Sequence, residues 1–396
     1  MIKQYVPKDI ARKIESVSGP DIDIGNVKYV ENGTICVDVA DYSGVVYDKN
    51  GNLCDASVTY RFGNHTKIPK FAPACSCIDE NVVFLGGGYI FSHFGHFLCE
   101  GLSRAYPALY KSFQNKKFVV VVNRKTKKLP SYAIILLGGL GIKPENIILI
   151  NRTTRFTGVY VPSQAAEITK FMSPIIPRIF DKISKNLGNA KIHTYDKIYL
   201  SRSKMNDGRT FGECRIERIF AKNGYKIVWP ETLALAEQIT LARNCRVMAG
   251  TAGTALHLAL FMKPGGTVIQ IKRNKLPGDS AEIQNDICTA KKLNFTYIAG
   301  SVEDTPTVHF TNTPQIVGVT EYLKQFFDDN NFRYTKNDIA FDKVAHEEYT
   351  AALHKYHRKQ KRTKIINFIA RIISVFGITK YNRQCIREGI INLFRQ

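Results

Sequence analysis

The sequence contains no apolar run near the roughly 20 residues that a membrane-spanning helix needs. Its opening residues, "MIKQYVPKDIARKIE", lack the apolar core of a signal peptide. A cytoplasmic protein is therefore expected, with the sequons at Asn32, Asn64, Asn151 and Asn294 incidental. The nine cysteines are odd in number and scattered, which suits reduced thiols and argues against a disulfide framework. The pair in "CSC" (Cys75, Cys77) is too tight for a usual zinc site, and no second pair follows at finger spacing. No motif for RNA or DNA accompanies the positive charge, so nucleic acid is not an expected partner. A full Gly-x-Gly-x-x-Gly turn with an acid on the next strand is also missing, which counts against an oxidoreductase. Acidic residues are scarce, 34 against 56 basic ones. The formal net charge of +22 calls for an anionic partner or surface.

What is present is globular. With 44% apolar and 11% aromatic residues in 396, the chain can build two domains plus extensions. From Ile22 to about Phe62, β-forming residues alternate with turn signals ("ENG", "DKNGN"), predicting a small β-rich preface. "NVVFLGGG", "KFVVVV", "NIILI" and "GVYVP" then read as strands separated by helical intervals. The second half is cleaner, with strands predicted at 197–201, 226–229, 246–249, 267–271 and 295–299. Helices fall between them near 213–223, 232–244, 254–262 and 279–292. This alternation predicts an α/β protein with parallel sheets covered on both faces, arranged as two halves about a cleft. No strict internal repeat relates the halves. The end differs in kind: Lys355, Arg358, Lys359, Lys361, Arg362 and Lys364 precede Ile365, Phe368, Ile369, Ile372 and Phe376 at helical spacing. Residues 355–396 are expected to lie on an anionic membrane surface.

Three stretches carry candidate chemistry. In "GGGYIFSHFGHFLCEGLSRAYPAL", His96, Glu100 and Arg104 stand at i, i+4 and i+8 with His93 three residues earlier, one face of a predicted helix. Three readings stay open there: zinc ligation, a structural stripe pairing Glu100 with Arg104, and acid/base or substrate-binding work. In "CRVMAGTAGTALHLALFMKPGG", a turn at Gly250–Gly253 leads from a strand into a helix near Thr254. Its backbone N–H groups suit an anion, although the same pattern also serves as a plain turn. "YLSRSKMNDGR" puts Arg202, Lys204 and Arg209 at the carboxyl end of a parallel strand. That placement fits either a diphosphate site or a solvated loop.

These stretches resemble the family 61 glycosyltransferases, which include bacterial capsule and lipopolysaccharide enzymes and eukaryotic xylosyl- and N-acetylglucosaminyltransferases. "SHFGHFLCEGLSRAYPAL" looks like that family's His-x-x-x-Glu helix. The block beginning "IYLSRSKMNDGR" places Arg202, Arg209, Glu213, Glu231, Glu237 and Gln238 on matching positions. "VMAGTAGTALHLALFMKPGGTVIQI" looks like its glycine loop and following strand. Departures are Gly212 and His257 where Asn is usual, Ala252 for His, and Gln270 for an acid.

The resemblance spans 86–271 and implies a GT-B-like inverting glycosyltransferase. Its parts would be a β-rich preface (1–75), a Rossmann-like acceptor domain (76–190), a Rossmann-like nucleotide-sugar domain (191–335) and a basic amphipathic tail (336–396). It further implies Glu100 or His96 as the base, with His93 beside them and Arg104 in acceptor binding or support. Arg202, Lys204, Arg209, Glu231, Gln238, Gly250, Thr251, Gly253 and Thr254 would hold the donor. No metal or cofactor is expected, the nucleotide-sugar being a co-substrate. The capsule and lipopolysaccharide members imply a saccharide or lipid-linked saccharide acceptor and a peripheral place on the inner face of the cytoplasmic membrane. Two other classes stay open: a pyruvyl- or sialyl-type transferase, and a non-enzymatic protein that binds anionic polysaccharide or membrane.

Overall fold

The computed structural model describes residues 2–7, 19–38, 40–126, 128–205, 209–274, 280–303 and 313–375. Strand β1 (Ile2–Tyr5) precedes β2 (Val27–Glu31), β3 (Thr34–Val37), β4 (Gly44–Tyr47) and a small hairpin of β5 (Tyr60–Arg61) and β6 (Asn64–His65). Next come β7 (Ser76–Gly87), a helical stretch containing α1 (Phe94–His96), β8 (Lys117–Val121), α2 (Ser131–Gly139), β9 (Ile147–Ile150) and β10 (Thr154–Pro162). Short strands β11 (Ala166–Glu167) and β12 (Phe171–Met172) lead into α3 (Ile175–Leu187). The second half runs β13 (Lys197–Leu200), β14 (Thr210–Phe211), α4 (Glu213–Lys222), β15 (Lys226–Val228), α5 (Leu235–Asn244), β16 (Val247–Thr251) and β17 (Thr267–Lys272). It ends with α6 (Ser280–Ala290), β18 (Asn294–Ala299), β19 (Gln315–Ile316), α7 (Glu321–Asp329) and α8 (Lys343–Val375). The tail residues beyond Val375, Phe376 among them, lie outside the described residues.

Apart from β14 and β19, which pair with each other, the second-half strands join β1 in one wholly parallel sheet in the order β1-β18-β17-β16-β13-β15. Their apolar runs and intervening helices follow the spacing read from the sequence. The first-half sheet is mixed rather than parallel. In the order β4-β3-β10-β7-β8-β9, the strands from β10 onward are parallel, while β2, β3 and β4 pair antiparallel at its edge. The expected preface therefore does not stand apart. Its alternating, turn-rich strands complete the edge of the first sheet, and β1 joins the second.

Side chains alternate across the strands, so each sheet feeds two cores. On β7, Val83 and Leu85 enter a large central core, whereas Val82 and Phe84 enter a smaller one on the opposite face. On β13, Ile198 and Leu200 join the same central core, and Tyr199 faces the layer built by α4 and α7. The two sheets thus share a core, closed where the Phe180 ring of α3 meets Phe261 edge-on at 5.1 Å. Truncating Phe180, fully buried there, would cost about 3–5 kcal/mol. A shared apolar layer fixes how the loop ends of the two sheets face each other.

Candidate active site

The helix expected to carry the stripe is broken into three pieces. A 3-10 turn (Gly88–Phe91) precedes α1, and a π-helical turn (Phe97–Gly101) follows it, closed by the Leu102 N–H on the Phe97 carbonyl at 3.1 Å. Phe97, Leu98 and Leu102 pack into the central core and hold this geometry in place. His96 and Glu100 still meet, Nδ1 to Oε2 at 2.8 Å. The wider turn carries Arg104 away from them, because π turns advance more residues per revolution than α turns.

Glu100 is buried, and its partner is Arg61, from the β5–β6 hairpin. Arg61 Nε donates to Oε1 at 2.7 Å and Nη2 to Oε2 at 3.0 Å. Such a fork is the strong form of a carboxylate pair. An ionised carboxylate only accepts, so the His96 proton toward it sits on Nδ1. That tautomer assigns Arg61 Nη2, 3.1 Å from the same nitrogen, to Glu100 rather than to the ring. With Nδ1–H committed to Glu100, Nε2 is the His96 nitrogen able to take a proton. The Glu100–Arg104 pairing of the structural-stripe reading is not formed. Arg104 is buried and donates to the carbonyls of Pro162 (3.1 Å), Ala56 (3.0 Å) and Val58 (2.7 Å) and to Thr59 Oγ1 (3.0 Å). Burial pulls its pKa down to about 10, still protonated at neutral pH. Its place is structural.

On the second sheet, β16 ends in the Gly250–Gly253 turn, and a 3-10 helix (Thr254–Phe261) takes the place of the expected α-helix. Arg202, just after β13, and Arg273, just after β17, flank this turn. A Cβ built on Gly253 would lie 3.2 Å from Arg202 Nη1 and 3.9 Å from Arg273 Nη2. Arg273 Nη1 also donates to Thr210 Oγ1 at 3.0 Å. Beneath the turn, Glu213 accepts from Tyr199 Oη (3.0 Å), Thr251 Oγ1 (3.1 Å) and the Arg202 N–H (3.1 Å). Burial first, then the neighbouring Glu217, raises the Glu213 carboxyl to about 7. Gly212, which caps α4, has φ +81, and a Cβ there would collide with the Val317 carbonyl. That collision, added to the left-handed backbone, makes glycine the residue that fits where the family resemblance leads one to expect Asn.

These groups converge on a cavity of about 360 Å³. His93, His96 and Phe62 line it from the first half, and Arg202, Arg209, Gly253, Thr254, His257, Gln270 and Arg273 from the second. The halves touch at Gly95, where a side chain would collide with Thr254. None of the described residues lining this cavity is acidic. Burial, then the charges of His96 and Arg61, lowers the His93 pKa. Desolvation takes the half-buried His257, 3.4 Å from Cys99 Sγ, down to about 4. A second cavity of about 320 Å³ shares Arg202, Met205 and Thr254 with the first and is lined by Glu231 and Gln238.

The structure therefore separates the residues singled out in the sequence. His93, His96, Arg202, Arg209, Gly253 and Thr254 come together at the main cavity, and Glu231 and Gln238 border the adjoining one. Gln238 Nε2 donates to the carbonyls of Pro230 and Leu233 at 2.8 and 3.1 Å. Glu100 sits behind His96 and does not line either cavity. Lys204 lies elsewhere, its Nζ 3.7 Å from the Trp229 ring centroid. Gly250 packs on the Leu200 carbonyl, and Thr251 faces Glu213. Sequence reasoning missed Arg61 and Arg273. Arg273 follows a parallel strand at its carboxyl end, the same signal that marks Arg202. Arg61 carries no such signal.

The sequence does contain an Asp-x-Asp triplet, Asp21–Asp23, a pattern able to hold a divalent cation. Asp23 caps a 3-10 turn by accepting from the Gly25 N–H at 2.7 Å, and neither acid lines either cavity. Among the described residues, no group of three or more His, Cys, Asp or Glu is placed to hold a metal ion.

Fold and site together define an α/β protein with an arginine-rich cavity beside a carboxylate-held histidine. Residues 94–269 match the family model described as Glycosyltransferase 61, which supports a family 61 glycosyltransferase. Comparison with curated proteins finds no match. Among solved structures, the crystal structure of the dodecameric iron-containing heptosyltransferase TibC in complex with ADP-D-β-D-heptose is similar at 11% identity. That match covers 90% of this chain and 99% of the other, but its TM-score of 0.23 is too slight a likeness to speak for fold or function.

Proposed function

We propose that this protein is an inverting glycosyltransferase of GT-B-like arrangement. It moves a sugar from a nucleotide-sugar to a saccharide acceptor, lipid-linked and belonging to capsular or lipopolysaccharide assembly. The observation that carries the reading is the cavity itself: Arg202, Arg209 and Arg273 stand in one lining with Gly253, Thr254 and His96. Inversion is a single displacement. The acceptor hydroxyl gives its proton to His96 Nε2, its oxygen bonds to the anomeric carbon, and the bond from that carbon to the diphosphate breaks. Glu100 holds the ring in the accepting tautomer and stabilises the imidazolium formed. Charge grows on the departing diphosphate, where Arg202, Arg209, Arg273 and the backbone at Thr254 offset it. Guanidinium groups take the role that a divalent cation would otherwise fill, so no metal is required.

The acceptor's lipid anchor gives the tail its role. On α8, Ile365 and Phe368 are exposed (55% and 65%) beside Arg358, Lys359, Lys361, Arg362 and Lys364. No helix among the described residues is long and apolar enough to cross a membrane. The segment 355–396 instead lies on the anionic inner face of the cytoplasmic membrane.

The test is thermal shift and calorimetry with a panel of nucleoside diphosphates. At least one should stabilise the protein, and Arg202→Ala should weaken its binding by roughly 10- to 100-fold, the loss of one charge-assisted contact. If none of the panel binds, the reading falls.

A further inference from the structure

The β5–β6 hairpin turns through Phe62 and Gly63, with φ of +53 and +79. Two consecutive positive φ values make the hairpin turn that favours Asn-Gly, because a bulky side chain avoids the left-handed region. Phe62 occupies the Asn position. Burial does not repay that conformation, since 48% of the residue is exposed. Half exposed, Phe62 instead lines the main cavity with His93 and His96. The Arg61 guanidinium lies over the ring at 5.7 Å from its centroid, a contact worth little at such exposure, so a local rule broken for so small a packing gain points to function.

The hairpin is also held rigidly. The Tyr60 N–H donates to Gln164 Oε1, and Gln164 Nε2 donates back to the Tyr60 carbonyl, both at 2.8 Å. The Gly63 N–H donates to Glu167 Oε1 at 2.6 Å. Next to Phe62 in sequence, Arg61 forks onto Glu100. Consecutive residues thus reach the base assembly and the cavity, while Arg202 and Arg273 flank the Gly253 turn of the other half.

We propose that Phe62 is a specificity-determining platform for the acceptor, stacking under the apolar C–H face of a pyranose whose hydroxyl points to His96. The proposal rests on the glycosyltransferase reading above and adds the acceptor subsite to it. Aromatic faces that line cavities suit a flat ligand with one apolar side, and a pyranose has such a side. The nucleobase of the donor is the competing occupant. It is disfavoured here because Phe62 belongs to the half that supplies the base, not to the half that supplies the arginines.

Three variants separate the possibilities. Phe62→Asn suits the turn and removes the ring, Phe62→Tyr keeps the ring, and Phe62→Ala removes it without helping the turn. The probes are saturation-transfer NMR with a panel of methyl hexopyranosides, and calorimetry with the nucleoside diphosphate that binds the parent protein. In the parent and in Phe62→Tyr, ring protons of at least one methyl pyranoside should saturate. In Phe62→Asn and Phe62→Ala that signal should fall at least fivefold. The melting temperature of Phe62→Asn should match or exceed that of the parent, and diphosphate affinity should stay within twofold. Undiminished sugar signal in Phe62→Asn, or no signal from any methyl pyranoside in the parent, overturns the proposal. A loss of diphosphate affinity in Phe62→Asn also overturns it and assigns the ring to the donor's base. Failure of every nucleoside diphosphate to bind the parent would instead strike the glycosyltransferase reading, so the two failures are distinct.

Discussion

Arg61 and Glu100 form a bidentate pair at 2.7 and 3.0 Å that ties an exposed hairpin to a fully buried carboxylate. Removing one member of such a pair leaves the other charge stranded, which costs far more than the pair contributes. Arg61→Ala should therefore destabilise the protein by about 3–5 kcal/mol in urea denaturation. Arg61→Lys should recover only part of it, since an ammonium cannot fork. A cost below about 1 kcal/mol for Arg61→Ala would show that Glu100 is protonated or otherwise satisfied.

Glu100 touches His96 and not the cavity, so its contribution to turnover runs through the imidazole. Glu100→Gln keeps the volume but offers His96 an amide in place of a carboxylate. We expect kcat to fall by roughly 10²–10⁴-fold with nucleoside diphosphate affinity unchanged. His96→Ala should fall at least as far. Parental turnover in both variants would make the stripe purely structural.

Glu213 supplies a pH signature. Its carboxyl is raised from 4.5 to about 7, chiefly by burial. Between those values the folded state holds a proton that the unfolded state has released, so stability falls as pH rises through the window and levels off above about 7. A shift of this size is worth about 3 kcal/mol. Glu213→Gln cannot lose that proton, so its cost relative to the parent should be about 2.5 kcal/mol larger at pH 5 than at pH 8. Asp286, raised to about 7 mainly by burial, titrates in the same window in both proteins and cancels from the difference. Identical stability–pH curves for the two proteins would place the Glu213 carboxyl at its ordinary value.

The tail prediction rests on charge. From Lys355 to Gln396 the sequence holds eleven cations against the single acid Glu388, ten net positive charges. Deleting 355–396 should abolish sedimentation with anionic liposomes and leave nucleoside diphosphate binding intact. A truncated protein that still pellets at low salt would put the membrane-binding surface elsewhere.

Much of the second half was legible because its strands are continuous apolar runs separated by amphipathic helices, and local pattern decides both. The strand predicted at 267–271 is found at Thr267–Lys272, and the helix predicted at 213–223 at Glu213–Lys222. The glycine turn and Arg202 were legible for the same reason, since they sit where parallel strands end. Arg61 was not, because only tertiary folding carries the β5–β6 hairpin to Glu100 and no local period records that meeting. The π turn was hidden too. The i, i+4, i+8 spacing of His96, Glu100 and Arg104 is compatible with a regular helix, and the packing of Phe97 and Leu102 overrides it. The antiparallel edge of the first sheet lay in plain alternation at 27–47, but its partner, β10, is distant in sequence.

The pairing of β1 with β18 bears on the order in which the protein can be made. Ile2 aligns with Phe295 and Tyr5 with Ile298, so the earliest described strand bonds to the latest strand of its sheet. The first sheet can assemble while the chain is still growing, because all its strands are synthesised by Pro162. The second cannot close until nearly three-quarters of the chain has emerged, and β1 must wait through that interval with its edge unsatisfied. Maturation of the arginine-bearing half is thereby a late event, and the two far-separated segments act as a clasp that fastens only once β18 has been made.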